Sequence, residues 1–349
     1  MPAVVARKDR EGWRLEGSWP DAEVANRFLA HLATRAFSPA TIRAYAYDLV
    51  NFGRFCVERG VSIPDAAPTD FFDYLEWQSG LRPARGERVV RLAARRPAPA
   101  TMNRRIAAVR ALFEFAVLAG VRPDSPVPSP RRSSGLRARR RGLLGHVPAR
   151  HPRRGGRLVQ QPRLLPESLE PAEVDAFLAD LSTYRDRAVV LAMLLGGLRA
   201  AEVRALRLAD VDMGLRRLRV VGKGGRERVV PVDRAFFTEL AGYLRVERPP
   251  GCPTPACFVV LRGPTAGQAM TEAGLRRIFR THRARTGAIR VRPHRLRHTF
   301  GTELAAAGID LLVLRDLMGH ASPETTAGYV HLSFATLAAE YAAARAGAR

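Results

Sequence analysis

Residues Leu215 to Val232 read LRRLRVVGKGGRERVVPV. Two short β-type segments flank Gly222-Lys-Gly-Gly225, the composition of a hairpin turn, so Lys223 sits at a hairpin tip. The sequence on either side reads as helix. The expected fold class is therefore mainly α with a small antiparallel β-hairpin or sheet.

Upstream, Tyr184 to Arg207 carries a helical pattern that contains the longest apolar run of the chain, Ala188 to Leu198, with Gly197-Leu-Arg-Ala-Ala-Glu-Val late in it. A charged Arg199 straight after that run must either cap the helix in solvent or point into a polar pocket. Glu202, three positions on, can hold its guanidinium. A helix is also expected to start within Glu167-Ser-Leu-Glu-Pro-Ala-Glu-Val.

Downstream, HRLRHTFGTELAAAG from His294 is helical, followed by IDLLVLRDLMGH ending at Gly319-His320. On a helix His294 and Arg297 share a face and can grip one phosphoryl group, Arg through its planar fork and His through a ring nitrogen. After the Gly-His corner a Pro-containing loop leads to Tyr329. Its phenol, with an ordinary pKa of about 10, needs cationic neighbours or a base to attack phosphorus, and Arg199, Arg297, His294 and His320 are suitable. A packing role for the same tyrosine remains open on these residues alone. The tail Phe334 to Arg345 is Ala-rich and reads as one last helix.

Toward the N-terminus, SPATIRAYAYDLVNFGRFCVERG from Ser38 places Ile42, Tyr45, Leu49, Phe52 and Cys56 on one stripe of a helix opened by a capping serine before Pro39 and ending near Gly60. A second helix is expected from Thr69 and a third from Thr101, whose stripe is Ile106, Val109, Leu112, Phe113 and Ala116. On the third, Arg104, Arg105 and Arg110 lie away from much of the apolar stripe, as on a helix packed on one side and facing phosphates on the other. An ordinary solvated face fits them equally. Leu81 to Ala100 reads as a basic loop.

Between Ser125 and Pro166 there is no Asp or Glu but eleven arginines, among them Arg139, Arg140 and Arg141. With Pro, Gly and Ser scattered through it and no sustained apolar period, this stretch reads as an interdomain linker that repels itself unless laid along an anion. A structured basic insertion is the alternative. The expected domains are a tail over 1–20, a helical domain over 21–124, the linker over 125–165 and a second domain over 166–349.

The 349 residues give room for two domains, and 46% hydrophobic content suffices for their cores. A net charge of +24 disfavours an acid-binding chaperone or a cytosolic metabolic role and favours a polyanionic partner, nucleic acid first. The eleven-residue apolar run is short of the ~20 a spanning helix needs, and the N-terminus lacks signal-peptide features, so a cytoplasmic protein without a membrane partner is expected. The three cysteines form no CxxC pair and read as packing or surface thiols.

Taken in order, GLRAAEVRALRLADVD, GKGGRERVVPV, HRLRHTFGTEL and LMGHASPETTAGYVH resemble the tyrosine recombinase family, the phage integrases and Xer-like recombinases. SPATIRAYAYDLVNF and TMNRRIAAVRALFEF resemble it more weakly. The resemblance implies a helical SAM-like core-binding domain and an α+β catalytic domain clamping duplex DNA. It also implies catalytic roles for Arg199, Lys223, His294, Arg297, His320 and Tyr329, with Glu202 in support; DNA contacts from Arg104, Arg105 and Arg110 of the third helix and from Arg139, Arg140 and Arg141 of the linker are expected from their charge. Tyr329 would attack the scissile phosphate to leave a 3′-phosphotyrosyl link and a free 5′-hydroxyl. Arg199 and Arg297 would neutralise the non-bridging oxygens. Lys223 would protonate the leaving oxygen, His294 would act as acid or base, and His320 would hold a phosphate oxygen. No metal or cofactor is expected, because the arginines take the metal's place.

The implied function is site-specific recombination or integration by a tetramer on two DNA sites through a Holliday junction, with an accessory DNA-bending protein or a second recombinase as possible partners. The alternatives are a tyrosine transposase, a replicon-dimer resolvase, a type IB topoisomerase, or a DNA-binding protein of the same fold without the chemistry. The linker is longer and more basic than a compact Xer-like protein suggests.

Overall fold

The computed structural model describes residues 4–10, 12–80, 97–127, 159, 168–222, 224–319 and 345. The chain divides into two compact units, residues 1–163 and 164–349, each with its own apolar core. Most of the linker expected at 125–165, most of the basic loop at 81–100 and nearly all of the tail helix lie outside the described residues.

The first unit contains β1 (Val5–Lys8), β2 (Trp13–Glu16), α1 (Ala22–Thr34), α2 (Pro39–Arg59), α3 (Pro68–Ser79) and α4 (Pro99–Leu118). Helix α2 starts where the sequence places it: Ser38 Oγ accepts from the Thr41 backbone N–H at 3.2 Å, with Pro39 in the first helical position. Of its expected stripe, Ile42, Leu49, Phe52 and Cys56 are buried and Tyr45 partly so. Around Phe52 the rings of Phe55, Phe71, Tyr74 and Phe113 pack with centroids 5.1–6.2 Å apart, and this aromatic nucleus joins α2, α3 and α4.

The N-terminal stretch expected as a tail is instead structured. β1 and β2 pair antiparallel, Val5 opposite Glu16, and bury Val4 and Leu15. Trp19 follows, 2% exposed, its ring set against Gly53 of α2, where a Cβ would fall 2.6 Å from the indole. Only glycine admits that approach. Burial of one large ring against a helix two elements away ties the hairpin down.

The second unit contains α5 (Pro171–Asp180), α6 (Tyr184–Leu194), α7 (Ala200–Ala205), β3 (Val211–Asp212), β4 (Arg217–Val221), β5 (Glu227–Pro231), α8 (Arg234–Gly242), α9 (Glu272–Thr286), α10 (Pro293–Ala306) and α11 (Leu311–Met318). The expected hairpin is present and belongs to a three-stranded sheet in the order β3-β4-β5, with Leu218 opposite Val230 and Val220 opposite Arg228. Helix α6 is buried from Ala188 to Leu194 and packs against α8 and α10. It does not run on to Arg207. Gly197, at φ +61, turns the chain, and the Leu198 N–H returns to the Ala192 carbonyl at 3.2 Å. A Cβ on Gly197 would run into the Phe300 ring of α10, so the break is fixed by packing as well as by backbone conformation.

All three cysteines are free thiols, Cys56 and Cys257 buried and Cys252 partly so. Among the described residues no helix is long and apolar enough to cross a membrane.

Candidate active site

The break after α6 moves Arg199. Rather than lying late in a long helix, it is the N-cap of α7 in extended backbone. Both of its open alternatives are resolved by one partner, because Glu202, on the third residue of α7, accepts the Arg199 backbone N–H at 2.8 Å and its guanidinium at 2.7 Å. The backbone bond caps the short helix and the side-chain bond aims the arginine, which keeps about a third of its surface exposed (36%).

Helix α10 starts at Pro293 after Arg292 in extended backbone and carries His294, Arg297 and His298. Arg297 is 2% exposed, rare for an arginine, and its guanidinium donates to the Gly197 and Met318 carbonyls and lies 4.0 Å from Glu202. His294, exposed, faces along the same helix to His298, Nε2 to Nε2 at 2.8 Å, so one proton lies between the two rings. Burial, then the charges of Arg297, Arg199 and Arg295, hold the His294 pKa below its ordinary value. For His298 burial and the neighbouring His294 push it down to about 4. Both imidazoles are therefore neutral at pH 7, and His294 can accept a proton there.

A third arginine completes the cluster. Arg228, on β5, donates to both oxygens of Glu202 at 3.0 and 2.9 Å and through Nε to the Leu317 carbonyl at 2.8 Å. Burial of the Glu202 carboxyl would raise its pKa, but the bonds from Arg228 and from Arg199 outweigh that and bring it down to about 2. Three successive carbonyls at the C-terminal end of α11, Leu317, Met318 and Gly319, are thus taken by Arg228, Arg297 and Arg199, the last at 2.9 Å. A helix C-terminus presents just such unsatisfied carbonyls and partial negative charge. Chemically, the Arg199 guanidinium held on a rigid carboxylate, the Arg297 guanidinium fixed beside it and a neutral imidazole make a site for a phosphoryl group with no metal needed to offset its charge.

Of the residues singled out from sequence, the structure brings together Arg199, Glu202, His294 and Arg297. Lys223, His320 and Tyr329 lie outside the described residues, as do Arg139, Arg140 and Arg141. In the first unit Arg104, half-exposed, donates to Asp48 at 2.5 Å and Arg105 to Gln78 at 3.2 Å, both partners buried; each of these arginines therefore spends one donor on a partner within the unit. Burial raises the Asp48 pKa to about 6 even against that Arg104 charge.

Two features escaped the sequence reading. One is Arg228, whose signal was strand alternation: on β4 and β5 the buried Leu218, Val220 and Val230 define the inward face, and Arg228 falls on it. The other is α9, whose Leu275, Ile278 and Phe279 are buried while Arg276, Arg277 and Arg280 are exposed. With Arg283, Arg292 and Ala200, the three exposed arginines line a cleft of about 940 Å³ beside the starts of α7 and α10.

Residues 167–336 match the model of the Phage integrase family, and residues 25–120 match the Phage integrase N-terminal SAM-like domain. A Tyrosine recombinase XerC of Chromohalobacter salexigens is 32% identical over 93% of this chain and 95% of its own length. Among solved structures, the XerH site-specific recombinase bound to a palindromic difH substrate matches at TM-score 0.60 and 20% identity, covering 92% of this chain and 84% of that one. The Tn1549 transposon integrase in complex with circular intermediate DNA matches at TM-score 0.60 and 17% identity, covering 91% and 98%.

Proposed function

The chain belongs to the phage integrase family and is a tyrosine recombinase, an enzyme of DNA strand cleavage and rejoining, and from that premise we propose that it recombines two specific DNA sites through the cluster around Glu202. One observation carries the proposal: Arg199 is aimed by the buried Glu202 carboxylate and Arg297 is fixed by the Gly197 and Met318 carbonyls 4.0 Å from it, next to His294. Two fixed cations suit the pentacoordinate phosphorus, whose charge grows as the bond to the nucleophile forms.

In this reading the Tyr329 oxygen attacks phosphorus, its proton passing to His294. The bond from phosphorus to the 5′-oxygen breaks, and Lys223 supplies the proton that oxygen needs. The product is a 3′-phosphotyrosyl link and a free 5′-hydroxyl. Attack of the partner strand's 5′-hydroxyl on that link reverses the step and joins the new strands, with no net change in the number of phosphodiester bonds. His320 holds a phosphate oxygen. Two such exchanges on paired sites pass through a Holliday junction and require four active sites, so the acting form is a tetramer on DNA in the cytoplasm, with an accessory bending protein or a second recombinase as further partners. The exposed arginines of α9, Arg110 and the arginines of the 125–165 linker supply phosphate contacts from both domains, 21–124 and 166–349.

The test incubates wild-type and Tyr329→Phe protein with a library of nicked duplexes in EDTA, denatures in SDS and sequences the DNA left attached. Wild type is expected to retain DNA cut at one sequence, and the variant none, at nearly unchanged DNA affinity. Equal adduct from both contradicts the assigned nucleophile; tight binding with no adduct from either supports the DNA-binding alternative.

A further inference from the structure

Arg228 belongs to none of the roles assigned above, and its environment is unusually specific for an arginine on a strand. Its side chain is 11% exposed. Each of its three nitrogens donates inside the protein, two to the Glu202 carboxylate and one to the Leu317 carbonyl. The fork of a guanidinium matches a carboxylate in two parallel bonds, a geometry that lysine cannot copy. The fit extends to its neighbour. Gly319 sits at φ +58, and a Cβ there would lie 2.9 Å from the Arg228 guanidinium, so the end of α11 is shaped around this side chain.

These bonds connect three elements. β5 carries Arg228 and forms one side of the turn at 222–226; α7 carries Glu202 and, at its cap, Arg199; α11 ends at Gly319, the residue before His320 in the chain. Without Arg228, Glu202 keeps the bonds from Arg199 but loses the two that fix its carboxylate plane, and the end of α11, whose Gly319 carbonyl is Arg199's other anchor, loses its bond to β5, so both supports of the Arg199 guanidinium loosen.

We infer that Arg228 is a positioning residue for strand cleavage: it clamps the Glu202 carboxylate and the end of α11 so that Arg199 is presented to the scissile phosphate. It touches no substrate itself. This inference rests on the proposed reading of the Arg199 and Arg297 site.

The test compares Arg228→Gln and Arg228→Lys with wild type and Arg199→Ala on two nicked duplexes, one with an ordinary scissile phosphate and one with a neutral methylphosphonate at that position. A methylphosphonate lacks the charge that Arg199 offsets, so a defect that acts through Arg199 shrinks on it, whereas a defect of fold is the same on both. On the ordinary phosphate each Arg228 variant should form adduct about 10- to 100-fold more slowly, by analogy with the loss when a partner that orients a metal ligand is removed. On the methylphosphonate the loss should fall to within about threefold, as it should for Arg199→Ala, with DNA affinity unchanged throughout. Equal losses on the two substrates, or wild-type rates from both variants, overturn the inference. If the glutamine variant does not fold, the lysine variant, which keeps the charge, decides. If wild type forms no adduct on either duplex, the parent reading fails, and Arg228 loses its role with it.

Discussion

At Glu202 a carboxylate that is 4% exposed is bonded by Arg199 and Arg228 and faces Arg297. Its carboxyl titrates near 2 in the folded chain against an ordinary 4.5. A depressed acid of this kind contributes stability that is whole above pH 4.5 and is lost as pH falls toward 2. Glu202→Gln should therefore lower Tm at neutral pH and flatten its decline between those two values; Tm curves that run parallel for variant and wild type would contradict the network. Arg199→Ala should slow adduct formation by about 10²- to 10³-fold, the loss that follows removal of one donor to a developing oxyanion, while leaving DNA affinity within a few fold. An unchanged rate would remove Arg199 from the chemistry. The pairing of Arg199 with Glu202 was legible because it depends on residues three apart. Arg228 was not singled out, because its partners come from α7 and α11, 26 and 89 residues away.

Helix α2 shows what local sequence determines: a serine before proline, an apolar stripe at helical spacing and a glycine at the end. Helix α1 shows the same spacing in Ala25, Phe28, Leu29 and Leu32, an equally local signal that the sequence reading left out. The β1-β2 hairpin and the break after α6 were of another kind. The first is fixed by Trp19 packing on Gly53 and the second by Phe300 approaching Gly197, both contacts between distant parts of the chain. Helix α4 illustrates how tertiary pairing changes the meaning of a charge pattern. Arg104, expected on a DNA-facing side, is bonded to the buried Asp48 of α2. Arg104→Ala should leave that carboxyl unpaired and cost about 1–3 kcal/mol of stability, read as a fall in Tm at pH 7. An unchanged Tm with weakened DNA binding would return Arg104 to a purely phosphate-facing role.

For the molecule as a whole, the net charge of +24 and the eleven arginines between residues 125 and 166 point to an electrostatic share in DNA affinity. Each phosphate neutralised on duplex DNA adds about 0.9 to the slope of log affinity against log salt. Replacing Arg139, Arg140 and Arg141 together by glutamine should lower that slope by up to about 2.7 units if all three meet phosphates. An unaltered slope would take these arginines off the DNA. The two-part architecture and the mainly helical class with the hairpin of the second unit were readable from motif order and periodicity, because both depend on segments long enough to show their repeat, whereas the β1-β2 sheet was not. The packing within each unit was not, since it depends on which segments meet.

The most direct measurement is peptide mapping of the covalent complex. Wild-type protein is allowed to react with its nicked duplex in EDTA, the DNA is digested to a short remnant, and the protein is cut and sequenced by mass spectrometry. The remnant is expected on Tyr329, joined through a 3′-phosphate, and absent from Arg199→Ala after the same reaction time. A remnant on any other side chain, or one that requires added divalent metal to form, would contradict cleavage by this tyrosine in an arginine-built site.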